Sequence, residues 1–268
     1  MTGLAKSTYM FHRKLILAEK EPETELERLI KAEFTENKGR YGVRRITASL
    51  RGKGHPINHK VVQRIMKKLG LQGKTVKKRR KYSSYMGAVG KVADNLLKRK
   101  FKVDTPNKVF VTDVTEFKLE WGKVYLSPVM DLHNRQIIGY DIARHPDFEQ
   151  MRRMMRNAFD NRRIAEGALF HSDQGWQYQM KEFGGMLTDL GITQSMSRKG
   201  NCHDNSVMEN FFGRLKVEMF YGEEKTFGNY EDFRHALEEY ILWYNQERIK
   251  EYLQWKSPVQ VLSTSATL

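Results

Sequence analysis

Nine residues near the middle of the chain, Val109-Phe110-Val111-Thr112-Asp113-Val114-Thr115-Glu116-Phe117, are β-branched or aromatic at all but two positions. That composition predicts a strand packed in a sheet. Asp113 sits at its centre. Aspartate is disfavoured in strands, and a carboxylate buried there without a partner is costly, so the fold must bring something to compensate it. Lys123 to Asp131 follows a Trp121-Gly122 turn, and Ile137 to Ile142 comes next. Together they predict three successive antiparallel strands.

Downstream the pattern changes to alternation. A helix is expected over 148–161, then a short buried strand, Ala168 to His171, that ends at Ser172-Asp173-Gln174-Gly175. A helix (181–190), a strand (192–196), a loop (197–203) and a helix carrying Glu209 follow. Strands first, then α/β alternation, describe an α/β fold with a mixed sheet flanked by helices. A last helix, 230–246, carries Phe233, Ala236, Leu237, Tyr240, Ile241 and Tyr244 on one side.

The first part of the chain is different in kind. Residues 1–108 hold 28 Lys and Arg against 9 Asp and Glu, a balance of +19, whereas residues 109–268 hold 19 against 23, a balance of −4. A basic front joined to a slightly acidic, more apolar back suggests a module that holds a polyanion beside one that does something else. Three short helices are expected in it. The first carries Leu26, Leu29, Ile30 and Phe34, the second runs from about Val43 to Leu50, and the third follows Asn58 as N-cap with Val61, Val62, Ile65, Met66 and Leu69 inside. The outer face of the third bears His59, Lys60, Gln63, Arg64, Lys67 and Lys68, so the set reads as a helix-turn-helix, with a three-helix packing unit of ordinary charged surface as the alternative. Lys77, Lys78, Arg79, Arg80 and Lys81 then form a run suited to phosphates, which positions a duplex without reading it. Ser7 offers a cap for a helix through Tyr9, Met10, Arg13 and Lys14; this stretch is either the end of an element encoded elsewhere or a tail.

Three acids stand out. Asp113 lies in a strand, Asp173 at a strand end and Glu209 on a helix, with 35 residues between the last two. Singly, a turn aspartate and a solvated helical glutamate are ordinary. Jointly they are hard oxygen ligands of the kind Mg²⁺ or Mn²⁺ prefers, and two such ions roughly 3.5–4 Å apart can clamp the attacking and leaving oxygens of a phosphodiester. The one cysteine, Cys202, beside His203, offers neither a disulfide nor a multi-cysteine zinc module. It fits a reducing cytoplasm, and no run of about 18 apolar residues suggests a membrane span.

These residues resemble a known family. The Asp, Asp, 35-residue, Glu set is similar to the signature of the retroviral integrase superfamily, and specifically of the orfB-type subunit of bacterial insertion-sequence transposases. The matching strings are Tyr41 to Arg45 with Asn58 to Leu71, Val111 to Thr115, His171 to Gly175, Ser197 to Ser206 with Glu209 to Phe212, Lys216 and Glu218, then Tyr244-Asn245, Arg248 and Ser257-Pro258. The resemblance implies an RNase H-like core in which Asp113, Asp173 and Glu209 bind two Mg²⁺ or Mn²⁺ ions. It also implies that Lys216, two helical turns beyond Glu209, contacts transposon-end DNA. Arg198 and Lys199 sit in the loop above the site and suit phosphate, and Asn205 precedes Glu209 by one turn, placed to cap the helix, orient the acid or meet DNA. With Arg44, Arg45, Lys60, Arg64 and the run from Lys77 to Arg80, they make up the expected DNA contacts. Where relatives place Pro-His after Asn-x-x-Arg, Ile249-Lys250 follow Arg248 here.

The expected organisation is an N-terminal helical tail (1–20), a helix-turn-helix (21–72), a basic linker (73–104), an RNase H-like core (105–222) and a C-terminal helical extension (223–268). The expected function is a DNA transposase that cleaves at insertion-sequence ends and transfers a 3′-hydroxyl strand. It would act as a homo-oligomer on double-stranded DNA in a bacterial cytoplasm at the nucleoid, with an upstream-frame protein or fusion as a possible partner. A catalytically silent DNA-binding regulator and a simple RNase H-like nuclease are the competing readings.

Overall fold

In the computed structural model, residues 24–75 and 92–265 are described, with Thr8; the expected tail helix and Lys77 to Lys81 lie outside them. The chain divides into two units after Lys74. The first consists of α1 (Glu25–Glu36), α2 (Val43–Gly52) and α3 (His59–Lys68). Thr24 and Glu27 close a capping box on α1, and the Asn58 side chain caps α3 by accepting from Lys60 N. Ile30, Ile46, Leu50, Val62, Ile65 and Met66 fill the space between the helices. Two acids on the inner side of α1 are neutralised from outside it: Glu33 by Lys53, just past the end of α2, at 2.7 Å and Glu27 by Lys68 on α3 at 2.7 Å. His59, Lys60, Gln63, Arg64 and Lys67 remain exposed along α3.

The second unit is built on six strands: β1 (Val109–Thr112), β2 (Thr115–Leu119), β3 (Gly122–Asp131), β4 (Ile137–Ala143), β5 (Leu169–Ser172) and β6 (Thr193–Met196). The order is β2-β3-β1-β5-β6 with β4 paired to β3. β1 to β4 pair antiparallel, and β5 runs parallel to both β1 and β6. Helix α4 (Phe148–Phe159) crosses one face and buries Met151, Met154, Met155 and Ala158. Gly139 on β4 is obligatory there, because a Cβ would lie 2.5 Å from Ala158 Cα.

The run 109–117 forms two strands where one continuous strand is expected. Its register against β3 is unbroken, Thr112 opposite Val129 and Thr115 opposite Leu126, so the lapse falls opposite Pro128 and Ser127. Proline has no N–H to give a ladder, and the Pro128 carbonyl is taken by the Thr112 hydroxyl at 2.9 Å. The interruption frees Asp113 from the sheet.

After β5 come α5 (Trp176–Gln179), α6 (Lys181–Asp189), β6, a 3₁₀ turn (Cys202–Asn205) and α7 (Ser206–Leu215), which passes into a π-helical turn at Lys216–Phe220. Helix α8 (Tyr230–Gln246) packs Phe233, Leu237, Tyr240, Ile241 and Tyr244 inward, and α9 (Pro258–Ser265) closes the chain. Glu218 and Arg248 form a buried pair at 2.6 and 2.8 Å, joined by the Tyr240 hydroxyl. Asn245 pairs with both the N–H and the C=O of Ile137, imitating a strand against β4. Residues 92–100, expected within a linker, dock on β6: Leu96 N and Leu97 N donate to Ser195 Oγ, and Leu97 is buried. Among the described residues no helix is long and apolar enough to cross a membrane.

Candidate active site

Parallel pairing of β1 with β5, in register Val111 to His171, brings Thr112-Asp113 and Ser172-Asp173 out side by side at the carboxyl ends of neighbouring strands. Asp113 is 6% exposed. Its Oδ1 accepts from Val114 N at 2.7 Å, and Asp173 Oδ1 accepts from Gly175 N at 2.8 Å. Each aspartate thus spends one oxygen on its own turn and keeps the other. A Cβ at Gly175 would meet Asp173 Oδ1 at 2.9 Å, so a side chain there would push on that carboxylate. Glu209 lies in the first turn of α7 and is partly exposed. Helix α7 reaches β1 through Asn205, whose Nδ2 donates to the Thr112 carbonyl at 3.0 Å.

The electrostatics follow from this crowding. Burial lifts the Asp113 carboxyl well above its ordinary range; the charges of Asp173 and Glu209 add to the rise, and the Val114 N–H and Lys216 oppose it. Burial raises Asp173 as well, against the Gly175 N–H, and raises Glu209 against His203. Clustered acids with no ion-paired partner among the described residues are the donor set a hard cation would relieve. In kind and placement the residues fit a divalent cation; in their present rotamers, no three His, Cys, Asp or Glu among the described residues close on one point.

Beneath the acids lies a polar network. His171 is fully buried and held neutral by burial, its pKa lowered to about 4. Nε2–H donates to the Asp204 carbonyl at 3.1 Å, and Nδ1 accepts from Ser195 Oγ at 2.9 Å; we assign this tautomer from the partners. Asp204 is itself buried and collects Arg198 (2.9 and 3.0 Å), Arg99 (2.7 Å) and Asn95 (2.9 Å), which hold its carboxyl far below the usual range.

The expected DNA contacts are spread unevenly. Lys199, Arg44, Lys60 and Arg64 are exposed, and Arg45 lies over the Tyr41 ring at 5.7 Å. Arg198 is exposed but committed to Asp204. Lys216 donates to the Glu116 carbonyl at 2.8 Å and sits 5.1 Å from the Phe117 ring, close enough to Asp113 to act on its charge. Asn205 is 4% exposed. Lys77, Lys78, Arg79 and Arg80 fall outside the described residues. Sequence reasoning missed Tyr178, a fully buried tyrosine whose hydroxyl lies 3.4 Å from Thr112 Oγ1; the only signal was its place three residues past the His171 to Gly175 string. Asp204 lies within the Ser197 to Ser206 string, and its buried role is visible only in the fold.

Residues 103–202 and 209–262 each match an integrase core domain family, and residues 21–79 match an HTH-like domain family. The chain is 54% identical over 211 residues to an uncharacterized transposase-like protein of Haemophilus influenzae, covering 78% of this chain and 94% of that one. It is 44% identical over 257 residues to a putative transposase for insertion sequence element IS150 of Escherichia coli K12, covering 96% and 89%. Among solved structures it is similar to a chain of the simian T-cell lymphotropic virus intasome in complex with PP2A regulatory subunit B56 gamma, with a TM-score of 0.53 at 16% identity over 87% of this chain and 73% of that one. The sheet is that of the RNase H-like integrase fold. With relatives matched along nearly their whole length, the chain belongs to the orfB-type insertion-sequence transposases of the retroviral integrase superfamily, and its work is DNA transposition.

Proposed function

We propose that Asp113, Asp173 and Glu209 are the catalytic carboxylates of a polynucleotidyl transferase and hold two divalent cations, Mg²⁺ or Mn²⁺. The observation that carries this reading is the pair of aspartates at adjacent parallel strand ends, each with one oxygen uncommitted and neither ion-paired among the described residues, beneath the helix that bears Glu209. Bound there, the cations would activate the attacking oxygen and stabilise the departing one. The reaction is an in-line displacement at phosphorus: a water or the element's 3′-hydroxyl forms the new P–O bond, and the bond to the displaced DNA 3′-oxygen breaks. Asp113 and Asp173 supply fixed oxygens from rigid strand ends, and Glu209 supplies one from a helix.

Lys216, within electrostatic reach of Asp113, holds the end DNA beside the acids, with Lys199 and Arg198 on the loop above. Lys60 and Arg64 on α3, with Arg44, Arg45 and Lys77 to Arg80, bind the duplex. The substrates are element ends and target DNA, engaged by an oligomer on paired ends at the nucleoid of a bacterial cell, alone or joined to an upstream-frame protein. The test is incubation of the purified chain with labelled end DNA and Mg²⁺. Joined products support the reading. Cleavage that persists in Glu209→Gln or Asp113→Asn would refute the site.

A further inference from the structure

The three acids come from three separate elements, and each element is tied to one residue. Asp113 directly follows Thr112 in the chain. The Thr112 carbonyl accepts Asn205 Nδ2 at 3.0 Å, one turn before Glu209 on the same helical segment. The Thr112 hydroxyl gives its proton to the Pro128 carbonyl at 2.9 Å and is therefore an acceptor toward Tyr178, whose hydroxyl stands 3.4 Å away. Tyr178 lies five residues past Asp173, at the end of the turn that Gly175 closes, and its ring packs edge-on against Phe183 at 5.4 Å. We propose that Thr112 is the point from which the spacing of the three carboxylates is set, and that Asn205 and Tyr178 are positioning residues acting through it.

A buried amide on a carbonyl is by itself ordinary packing. Two observations separate this one from that case. Asn205 Oδ1 is buried and accepts no hydrogen bond among the described residues, so folding carries the cost of an unsatisfied group for the sake of the Nδ2 contact. Flipping the amide would set oxygen against oxygen at Thr112, so its orientation is fixed. Tyr178, for its part, is completely buried with a hydroxyl close enough to Asp113 and Asp173 to sense both charges. Its ring packs among Phe183 and Phe170 as a phenylalanine would; what the hydroxyl adds is the contact to Thr112 Oγ1. Groups that hold ligands without touching the ion commonly change its affinity about 10- to 100-fold when removed.

The inference rests on the three-acid reading, and the test separates the two. Mn²⁺ binding to the full chain is measured by electron paramagnetic resonance of the free ion for wild type, Asn205→Ala, Tyr178→Phe and Asp113→Asn, with melting temperature recorded for each. Asn205→Ala is expected to weaken Mn²⁺ by about 10-fold or more and Tyr178→Phe by several-fold, with cooperative melting retained. A folded variant of either kind with wild-type Mn²⁺ affinity overturns the proposal. Should Asn205→Ala fail to fold, Tyr178→Phe, which loses one oxygen and no volume, decides alone. Undiminished binding in Asp113→Asn instead condemns the three-acid site itself.

Discussion

Acidification is expected to cost the catalytic unit stability through His171, separately from whatever its carboxylates contribute. The imidazole is fully buried and neutral, and burial lowers its pKa from 6.5 to about 4. The unfolded chain carries an ordinary imidazole and so binds more protons than the fold between those two values, and stability falls as pH falls through that window. Above pH 6.5 the contribution is complete. At 1.36 kcal/mol per unit, the loss reaches about 2 kcal/mol at pH 5 and about 3 kcal/mol at pH 4. Urea unfolding followed by tryptophan fluorescence isolates the right unit, because Trp121, Trp176, Trp243 and Trp255 all lie after Lys74. His171→Gln retains every carboxyl, so subtracting its pH profile leaves the imidazole. Wild type should lose about 2–3 kcal/mol more than the variant between pH 8 and pH 4. Parallel profiles would refute the argument, since they would mean that His171 is protonated in the fold as readily as outside it.

Glu218→Gln leaves the Arg248 guanidinium buried without its counter-charge and should cost about 3–5 kcal/mol in urea unfolding, because a broken buried pair is worse than none. Gly175→Ala places a Cβ 2.9 Å from Asp173 Oδ1 and 2.8 Å from Gln177 Nε2. Displacing that carboxylate by even 1 Å should slow strand transfer by about 100-fold with little change in melting temperature, and an unaltered rate would argue against Asp173 in the reaction.

Much of this was legible in the chain because it is local. Asn58 caps its helix and Val62, Ile65 and Met66 point inward because cap chemistry and helical period are written within one turn. The strand pattern around Asp113 and the demand that something compensate it were visible for the same reason. The break at Asp113 was not, since it depends on Pro128 lying opposite in a register that only the paired sheet defines. The pairing of Arg198 with Asp204 was not legible, because the loop that carries both is held by Asn95 and Arg99 from about a hundred residues away. Lys216 follows Glu209 at helical spacing, but the π-helical turn beginning there and the Glu116 carbonyl that receives it are tertiary facts. Tyr178 was hidden by its type: buried tyrosines are common, and only the neighbouring Thr112 hydroxyl distinguishes this one.

The docking of residues 92–100 bears on how such a protein can be recombined. Asp204, which steadies the loop leading to the Glu209 helix, draws on Asn95 and Arg99, both upstream of the point where the integrase core match begins. A chimera that grafts a foreign DNA-reading module at residue 105 would discard those two anchors and leave Arg198 alone on the carboxylate. A splice that keeps these contacts belongs upstream of Ala93, whose N–H meets Met196 Sδ at 3.4 Å, so that the recognition head is exchangeable only together with a boundary drawn outside the family's own consensus.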